Sequence, residues 1–346
     1  VMAVVGSDRF RAEIYVDDPI FAAAGSPGDV NQRLTMALLW TAILGFPVSW
    51  PKAEGGQSVR WIGAQVAVRP LFFEVSVPPD KVIELLALLT HTLEKTVVSK
   101  RELASLAGKL NFFAGLIPVM RPFLSTLWAS LSPSNGEARG TVGSSLPAAP
   151  RTEKRLPDHL VHTSRAGHGL KWFRAFFRQQ RGTLTRTFHF DASLIPELII
   201  CTNACPWGIG GFVLGPQGPE KWFADALGTA DARTFGFSIG AAAGTTTWEA
   251  LAVLVAVRAF RPRTERVRIR LRSDSLSTLV AVSAMKAKAP GLSLIMAELA
   301  LERVELGTDI SECMHIPGIA NTIADALSRL AAPDSKALPS EITPSL

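Results

Sequence analysis

The chain has 346 residues, 47% of them hydrophobic, and a formal net charge of +6. This length exceeds what one hydrophobic core usually supports, and the hydrophobic fraction can fill two cores, so we expect two globular units. The three cysteines contain no Cys-x-x-Cys pair, which argues against a thiolate metal site. No signal peptide or membrane-spanning helix is evident, so we expect an intracellular protein of the cytoplasm or nucleus.

The first predicted element is a β-hairpin near the start of the chain. Residues 10–16 and 20–24 are short, largely apolar runs of strand character, separated by Asp17-Asp18-Pro19. Asp and Pro are ordinary turn residues, so a solvated turn is one interpretation. The other is that Asp17 and Asp18 bind Mg²⁺ or Mn²⁺, since these hard ions prefer oxygen ligands and bridge to substrate phosphates.

Helices are predicted between this hairpin and the middle of the chain. Residues 34–44 have helical character, and residues 82–93 show helical spacing after two prolines. Residues 99–102, Ser-Lys-Arg-Glu, form a capping box that predicts a helix over residues 101–113. Residues 130–156 are rich in Ser, Gly, Pro and Ala and lack periodicity, which predicts a linker or exposed loop.

An amphipathic helix with a basic face is predicted after this linker. Its cationic stripe comprises Lys171, Arg174, Arg178 and Arg181, and its apolar stripe comprises Trp172, Phe173, Phe176 and Phe177. One interpretation is a surface helix with a solvated basic face. The other is contact with nucleic-acid phosphates, which would gain affinity by counterion release. We expect the aromatic side chains in the core and not stacked on bases.

Two strand patterns and a single acidic residue stand out after this helix. Residues 199–214 predict two strands joined by a tight turn, and because more strand follows their glycines, they are not a dinucleotide-binding loop. Val267, Ile269 and Leu271 alternate with arginines, which predicts a strand with one apolar and one cationic face. Asp274 lies just beyond the carboxyl end of this strand, where open α/β sheets have their sites.

The first part of the chain resembles the reverse transcriptases of retroelements. Residues 15–18, Tyr-Val-Asp-Asp, are similar to the family's Tyr-x-Asp-Asp catalytic motif, and residues 45–52 are similar to a segment that ends in a lysine near the incoming nucleotide. Residues 59–66 are similar to the hairpin that grips the primer strand. The resemblance implies catalytic, metal-binding roles for Asp17 and Asp18. It implies nucleic-acid contacts by Tyr15, Lys52, Trp61 and Gly63.

The last part resembles the ribonuclease H domains of gypsy-like and DIRS-like retroelements. Residues 199–214 are similar to the opening hairpin, usually Thr-Asp-Ala-Ser-Pro-Trp-Gly-Ile-Gly-Gly, and residues 315–329 are similar to the closing strand and helix. The family's four acidic positions correspond by resemblance to Asn203, Glu249, Asp274 and Asp325. We expect a structural, strand-end role and partial burial for His315.

The position of Asn203 affects the expected chemistry. Ribonuclease H enzymes use four carboxylates to hold two metal ions about 3.5–4 Å apart, so an intact site takes two Mg²⁺ or Mn²⁺ ions. By resemblance, the first carboxylate bridges both metals, and Asn203 offers only a neutral oxygen there. We therefore expect Glu249, Asp274 and Asp325 to remain as metal ligands and hydrolysis to be absent or severely weakened.

The resemblance implies a fold class and a domain order. The class is α+β and α/β, with the C-terminal part of a reverse transcriptase palm and a helical thumb followed by a ribonuclease H-like mixed-sheet domain. The expected segments are the palm with its primer-grip hairpin (1–77), the thumb (78–132), a linker with the basic helix (133–187), the ribonuclease H-like domain (188–331) and a tail (332–346). Only fourteen residues precede Tyr15, too few for the fingers and an earlier catalytic Asp, so we expect a fragment or a decayed copy.

Two functions remain open from the sequence. One is an enzyme, an RNA-directed DNA polymerase (a nucleotidyltransferase) with a ribonuclease H domain from a retrotransposon. It would use dNTPs if the missing palm and fingers were supplied. The other is a non-catalytic remnant that binds an RNA–DNA hybrid or a primer–template. We expect no membrane partner in either case.

Overall fold

The computed structural model describes residues 2–7, 9–132, 156–179, 184–191, 195–264, 266–335, 338–339 and 341–342. The chain divides into two compact units, residues 1–79 with 185–191 and residues 80–184 with 192–346. The helices after residue 79 and the C-terminal sheet therefore belong to one unit, although the sequence suggested separate segments for them. In the described part of the chain, no helix has the length and apolar content needed to cross a bilayer.

The first unit contains two antiparallel sheets and one long helix. The first sheet, in chain order, comprises β1 (Met2–Ser7), β2 (Phe10–Tyr15) and β3 (Asp18–Ala23). The second sheet, in the order β4–β5–β6–β9, comprises β4 (Ser58–Trp61), β5 (Ala64–Val68), β6 (Phe72–Ser76) and β9 (Thr185–His189). The strand β9 pairs antiparallel with β6, which explains why residues 185–191 group with the start of the chain.

Both predicted hairpins of this unit are present. Tyr15 pairs with Asp18, so Val16 and Asp17 form the turn between β2 and β3 and both carboxylates lie at the tip. Trp61 pairs with Ala64 in the β4–β5 hairpin. Its turn residues Ile62 and Gly63 both have positive φ, 42° and 83°, a conformation that glycine adopts without a steric penalty.

The helix of the first unit begins earlier than the sequence predicted. Helix α1 spans Pro27–Ile43, whereas its apolar character suggested residues 34–44. Ser26 caps it: the Ser26 hydroxyl accepts from the Asp29 backbone N–H at 3.3 Å, and the Asp29 carboxylate accepts from the Ser26 N–H at 3.1 Å. This reciprocal capping box, with Pro27 as the first helical residue, adds two turns before the apolar stretch.

The second unit begins with a helical region. Its elements are α2 (Pro79–Glu94), β7 (Val97–Ser99), α3 (Lys100–Leu116), α4 (Arg121–Leu131), β8 (Leu160–His162) and α5 (Gly167–Gln179). The Ser99 hydroxyl accepts from the Glu102 backbone N–H at 3.1 Å, which confirms the predicted start of α3. Helix α4 extends into the predicted linker, and residues 133–155 of that linker lie outside the described residues.

A five-stranded mixed sheet forms the rest of the second unit. In the order β12–β11–β10–β13–β14, it comprises β10 (Glu197–Cys205), β11 (Gly208–Gly215), β12 (Gly218–Ala226), β13 (Arg268–Ser273) and β14 (Asp309–His315). Strand β11 is antiparallel to both β10 and β12, while β13 runs parallel to β10 and to β14. This is the mixed sheet of a ribonuclease H-like fold, as predicted.

Helices cover both faces of this sheet. They are α6 (Thr229–Phe235), α7 (Thr245–Ala259), α8 (Arg261–Thr264), α9 (Leu276–Ala284), α10 (Pro290–Leu306) and α11 (Thr322–Ser328). Ile269 and Leu271 of β13 are buried, and the arginines between them are half-buried, so the predicted alternation is confirmed from Arg268 onward. Arg266 precedes the strand at φ 53° and does not belong to it.

Side chains from the described part of the predicted tail pack against one face of the sheet. Ile342 is 4% exposed and packs in a cluster with Cys201, Phe212 and Leu327. Leu338 packs against the same cluster. The described part of the predicted tail therefore contributes to the core of the ribonuclease H-like sheet.

The half-buried Arg121 side chain links the helical region to the sheet region. The Arg121 guanidinium donates through Nε to the Ala114 carbonyl at 2.9 Å and through Nη1 to the Ala284 carbonyl at 2.9 Å. These acceptors lie on α3 and at the end of α9, so one side chain links two regions far apart in sequence. This linkage accounts for their grouping in a single unit.

Candidate functional site

Four elements of the second unit bring together the four predicted ribonuclease H positions. Asn203 lies on the central strand β10, Glu249 on α7, Asp274 directly after β13, and Asp325 on α11. Asn203 and Glu249 are each 4% exposed, whereas Asp274 and Asp325 are half-buried. The sequence thus identified residues that are neighbours in space, although they are spread over more than 120 positions of the chain.

The Asn203 side chain uses both of its polar atoms inside this cluster. Its Nδ2 donates to Asp325 Oδ1 at 3.1 Å, and its Oδ1 accepts from the Ala204 backbone N–H at 2.7 Å. The amide therefore presents an N–H group, and not an oxygen, to the carboxylate on α11. The neutral oxygen predicted at this position therefore does not face Asp325 but accepts from the Ala204 N–H.

Glu249 is the most strongly perturbed group of the cluster. Burial raises the pKa of its carboxyl to about 8, and the nearby charges of Asp274 and Asp325 add to the rise. The Ala204 N–H, which donates to Glu249 Oε1 at 3.0 Å, and the Ser273 side chain oppose it. Without a cation nearby, this carboxyl is therefore largely protonated at neutral pH.

Asp325 is held by two donors that meet on the same oxygen. In addition to Asn203 Nδ2, the Arg329 Nε donates to Asp325 Oδ1 at 2.8 Å. Arg329 lies one turn after Asp325 on the chain, an i,i+4 ion pair at the end of α11. The sequence analysis did not identify Arg329, although this spacing from Asp325 is the signal that would have found it.

Asn321 is a second residue that the sequence analysis missed. It is 2% exposed and precedes α11, where its backbone carbonyl accepts from the Asp325 N–H at 2.9 Å. Its Nδ2 donates to the Thr202 carbonyl at 3.0 Å, next to Asn203 on β10. Asn321 thereby fixes the start of α11 against the strand that carries Asn203.

Asp274 and His315 meet at the ends of two parallel strands. His315 Nε2 lies 3.2 Å from the Asp274 backbone oxygen, and Ser273 pairs with His315 in the sheet. The strand-end position predicted for His315 is confirmed, but its side chain is exposed, so the expected partial burial is wrong. Asp274 Oδ1 is buried and has no hydrogen-bond partner among the described residues.

These residues do not fit the two-metal centre expected from the resemblance. Asp274 Oδ1 and Glu249 Oε2 are buried without a hydrogen-bond partner among the described residues and are suitable ligands. However, both Asn203 polar atoms are engaged, and Asp325 Oδ1 already has two donors. Within the described ranges, no group of three or more His, Cys, Asp or Glu side chains is arranged to hold a metal ion. A neutral N–H donor thus lies where the resemblance implies a carboxylate.

The predicted polymerase residues lie on the surface of the first unit. Tyr15, Asp17 and Asp18 are exposed at the β2–β3 tip, and Lys52 is exposed at the end of a short 3₁₀ helix. The indole Nε1 of Trp61 donates to the Asp18 backbone oxygen at 2.9 Å. The structure therefore joins the Tyr-x-Asp-Asp tip to the predicted primer-grip hairpin, whose turn contains Gly63.

The predicted basic helix is α5. Its Lys171 and Arg178 side chains are exposed, Arg174 is half-buried, and Arg181 lies outside the described residues. The apolar stripe faces inward, as predicted: Phe173, Phe176 and Phe177 are buried, and Trp172 stacks on Phe123 with 3.8 Å between ring centroids. The aromatic side chains are therefore core residues, and only the cationic stripe is available to a ligand.

The cysteines form no disulfide or metal pair in the described part of the chain. Cys201 and Cys205 are buried, and Cys313 is half-buried. Burial raises the pKa of the Cys201 and Cys313 thiols to about 11, so both remain protonated at neutral pH. Cys201 and Cys205 are therefore core residues, whereas Cys313 is only partly covered.

No protein-family model and no curated protein sequence matches the chain. Among solved structures, it is similar to ribonuclease H1 from the halophilic archaeon Halobacterium salinarum NRC-1, at 16% identity over 40% of this chain and 99% of that one, with a TM-score of 0.32. It is similar to LC11 ribonuclease H1 in complex with an RNA/DNA hybrid, at 19% identity over 38% and 92%, with a TM-score of 0.30. It is also similar to the foamy viral protease-reverse transcriptase in complex with an RNA/DNA hybrid, at 13% identity, with a TM-score of 0.36. This match covers 97% of the chain but only 38% of the viral protein.

Proposed function

We propose that this chain is a reverse transcriptase–ribonuclease H segment of a gypsy-like or DIRS-like retrotransposon. We further propose that its ribonuclease H-like domain binds RNA–DNA hybrids and cleaves them weakly or not at all. The observation that carries the proposal is the hydrogen bond from Asn203 Nδ2 to Asp325 Oδ1. The motifs around all four site positions support the family, and this contact bears on the activity.

The chemistry of phosphodiester hydrolysis explains why this contact matters. Two-metal enzymes activate water with one cation and stabilise the leaving oxygen with the other, and a shared carboxylate holds both ions in place. Asn203 supplies neither negative charge nor a free oxygen. Glu249, Asp274 and Asp325 keep the family's positions, so the proposed loss concerns catalysis and leaves the fold intact.

Hybrid binding is proposed to involve the cationic stripe of α5. Lys171, Arg174 and Arg178 lie on one side of a helix whose other side packs in the core. The sequence of α5 contains no acidic residue that would neutralise them. Phosphate contacts by such a stripe are sequence-independent and weaken as salt rises. We propose that the chain is located in the cytoplasm or nucleus, together with the nucleic acid that it binds.

The test is cleavage and binding of a labelled RNA–DNA hybrid with Mg²⁺ and with Mn²⁺, at two salt concentrations. We expect the parent chain to bind in a salt-sensitive way without cleaving, and Asn203→Asp to gain metal-dependent cleavage. Asn111→Asp, the same exchange at an exposed position of α3, is the matched control and should change neither. Efficient cleavage by the parent chain, or no hybrid binding by any variant, would contradict the proposal.

A second candidate function, DNA polymerisation, is favoured by the contact between Trp61 and Asp18. We propose that Asp17 and Asp18 hold Mg²⁺ or Mn²⁺ for phosphoryl transfer when a palm-and-fingers segment supplies a further carboxylate and the dNTP site. Tyr15, Lys52, Trp61 and Gly63 would then contact the primer–template or the nucleotide. The test is primer extension with such a segment added in trans, with Asp18→Asn as the inactive control. No extension by any combination would reject this function.

A further inference from the structure

The acid cluster of the second unit contains its own hydrogen-bond donors in place of cations. We infer that Glu249, Asp274 and Asp325 are held together in the folded chain without a divalent metal, because the Asn203 amide and the Arg329 guanidinium both donate to Asp325 Oδ1 and the charge of Arg329 offsets that of the carboxylate. The inference rests on the proposed assignment of these four positions, but it requires neither hybrid binding nor cleavage. It goes beyond lost catalysis, since it concerns what now stabilises the site.

The donors come from two parts of the fold, strand β10 and the end of α11. Asn203 Nδ2 reaches Asp325 from the central strand, and Arg329 Nε reaches the same oxygen from the end of α11. The Ala204 backbone N–H donates both to Asn203 Oδ1 at 2.7 Å and to Glu249 Oε1 at 3.0 Å. Two of the three carboxylates are therefore bonded to protein donors, and Asn203 connects these two through one continuous network.

This network occupies the Asp325 oxygen next to Asn203, while Glu249 Oε2 and Asp274 Oδ1 have no hydrogen-bond partner among the described residues. Asn203 is 4% exposed, and its amide cannot turn its oxygen toward Asp325 without breaking the bond with the Ala204 N–H. Such a rotation of the amide would also direct its oxygen, an acceptor, at the Asp325 carboxylate and leave the Nδ2 donor without its present partner. Because buried polar groups need partners, the observed orientation is the one that the surrounding chain supports.

An aspartate at position 203 would reverse this arrangement. Asn203→Asp has nearly the same shape but places an acceptor where the structure has the Nδ2 donor. A fourth carboxylate would then face Asp325 with no proton donor between them, and like charges at this distance repel. A divalent cation is the natural partner for such a cluster. The variant should therefore depend on metal for stability, whereas the parent chain should not.

The experiment compares thermal unfolding of the parent chain and of Asn203→Asp in EDTA and in Mn²⁺, with no nucleic acid present. Asn111→Asp is the matched control, because it adds the same charge on an exposed face of the same unit. We expect equal unfolding temperatures for the parent chain in both conditions. Asn203→Asp should unfold at a lower temperature than the parent chain in EDTA and recover in Mn²⁺, and Asn111→Asp should behave like the parent chain.

A Mn²⁺ titration followed by electron paramagnetic resonance gives a second readout. Asn203→Asp should bind Mn²⁺ about tenfold or more tightly than the parent chain. Parent binding as tight as that of Asn203→Asp and abolished by Asp325→Asn would overturn the inference, and so would equal stability of parent and Asn203→Asp in EDTA. If Asn203→Asp does not fold, the Mn²⁺ titrations of the parent chain and of Asp325→Asn still test the inference. Failure of hybrid binding would remove the proposed function and leave this result unaffected.

Discussion

The Asn321 amide nitrogen donates a hydrogen bond to the Thr202 carbonyl oxygen at 3.0 Å, and both residues are buried. Thr202 directly precedes Asn203, and Asn321 directly precedes the helix that carries Asp325. This contact, together with that of Cys205 Sγ to the Ser328 carbonyl at 3.0 Å, holds α11 in place along β10. The distance from Asn203 to Asp325, and with it the geometry of the acid cluster, depends on a residue outside the cluster.

Replacing Asn321 by Ala should therefore destabilise the second unit. The change leaves the buried Thr202 carbonyl without its donor, and such a loss costs about 1–3 kcal/mol of the free energy of unfolding. Urea denaturation at neutral pH measures the difference. Asn111→Ala, at an exposed position of α3, is the control and should change the free energy little. Equal free energies of unfolding for Asn321→Ala and the parent chain would show that the contact does not stabilise the fold.

The pKa of Glu249 predicts a pH-dependent stability. Because its carboxyl has a pKa of about 8 in the folded chain and an ordinary value of 4.5, the folded state holds the extra proton between these values. The free energy of unfolding should then fall as pH rises through this window, by up to about 5 kcal/mol at about 1.4 kcal/mol per pKa unit. Glu249→Gln should lack this fall. Urea denaturation from about pH 5 to pH 8 measures the free energy of unfolding of both chains. Parallel dependence of this free energy on pH in the parent chain and in Glu249→Gln would refute the prediction.

Removing the cationic stripe of α5 should weaken hybrid binding. The test variant replaces Lys171, Arg174 and Arg178 with Gln. We expect lower affinity at low salt and a dependence of log affinity on log salt that is shallower by about 2 to 3 units, since each phosphate contact contributes about 0.9. Fluorescence anisotropy at several salt concentrations measures both.

The control for this variant removes the same charge elsewhere in the second unit. It replaces Lys81, Lys95 and Lys109 with Gln, three lysines whose ammonium groups are paired with Glu84 or Glu102. Their charges are already neutralised within the chain, so their loss should change the salt dependence less. If both triple variants reduce binding equally, net charge and not the α5 stripe governs affinity.

Gly169 on α5 should tolerate no side chain. A Cβ there would meet the Thr126 and Leu127 side chains of α4 and lie 2.7 Å from the Phe123 carbonyl oxygen. Gly169→Ala should therefore lower the free energy of unfolding by about 1–3 kcal/mol. Gly167→Ala is the matched control, because nothing lies within 4 Å of its Cβ and alanine favours the helix. Thermal unfolding of both variants checks this, and equal shifts would contradict the close approach of α4 and α5.

Val16 at the β2–β3 tip has a φ of 58° and is 84% exposed. This left-handed conformation is costly for a β-branched residue and free for glycine. Val16→Gly should therefore stabilise the hairpin by about 0.5–1 kcal/mol, seen as slower amide hydrogen exchange in β2 and β3. Val68→Gly at the end of β5 is the contrasting control and should destabilise its strand. Faster exchange in Val16→Gly would show that the turn is not strained.

The sequence was most informative where local chemistry determines local structure. The Ser99 cap of α3 and the alternation around Ile269 each depend on residues a few positions apart, and the structure has them where predicted. The first hairpin is present too, but its turn is Val16-Asp17, and Asp18 and Pro19 belong to β3. The start of α1 was predicted too late because its apolar pattern begins after the Ser26 capping box. The strand β9 has no comparable local signal, since its partner β6 lies more than a hundred residues earlier.

The sequence by itself determined which residues occupy the four positions of the acid cluster, because each lies in a short motif of recognisable order. Only the tertiary structure decided what Asn203 does there. Its amide is oriented by Asp325, 122 positions away, and by the Ala204 N–H, which also serves Glu249. Hydrogen-bond direction depends on partners that folding brings together, so no reading of neighbouring residues could show that an N–H group faces the carboxylate.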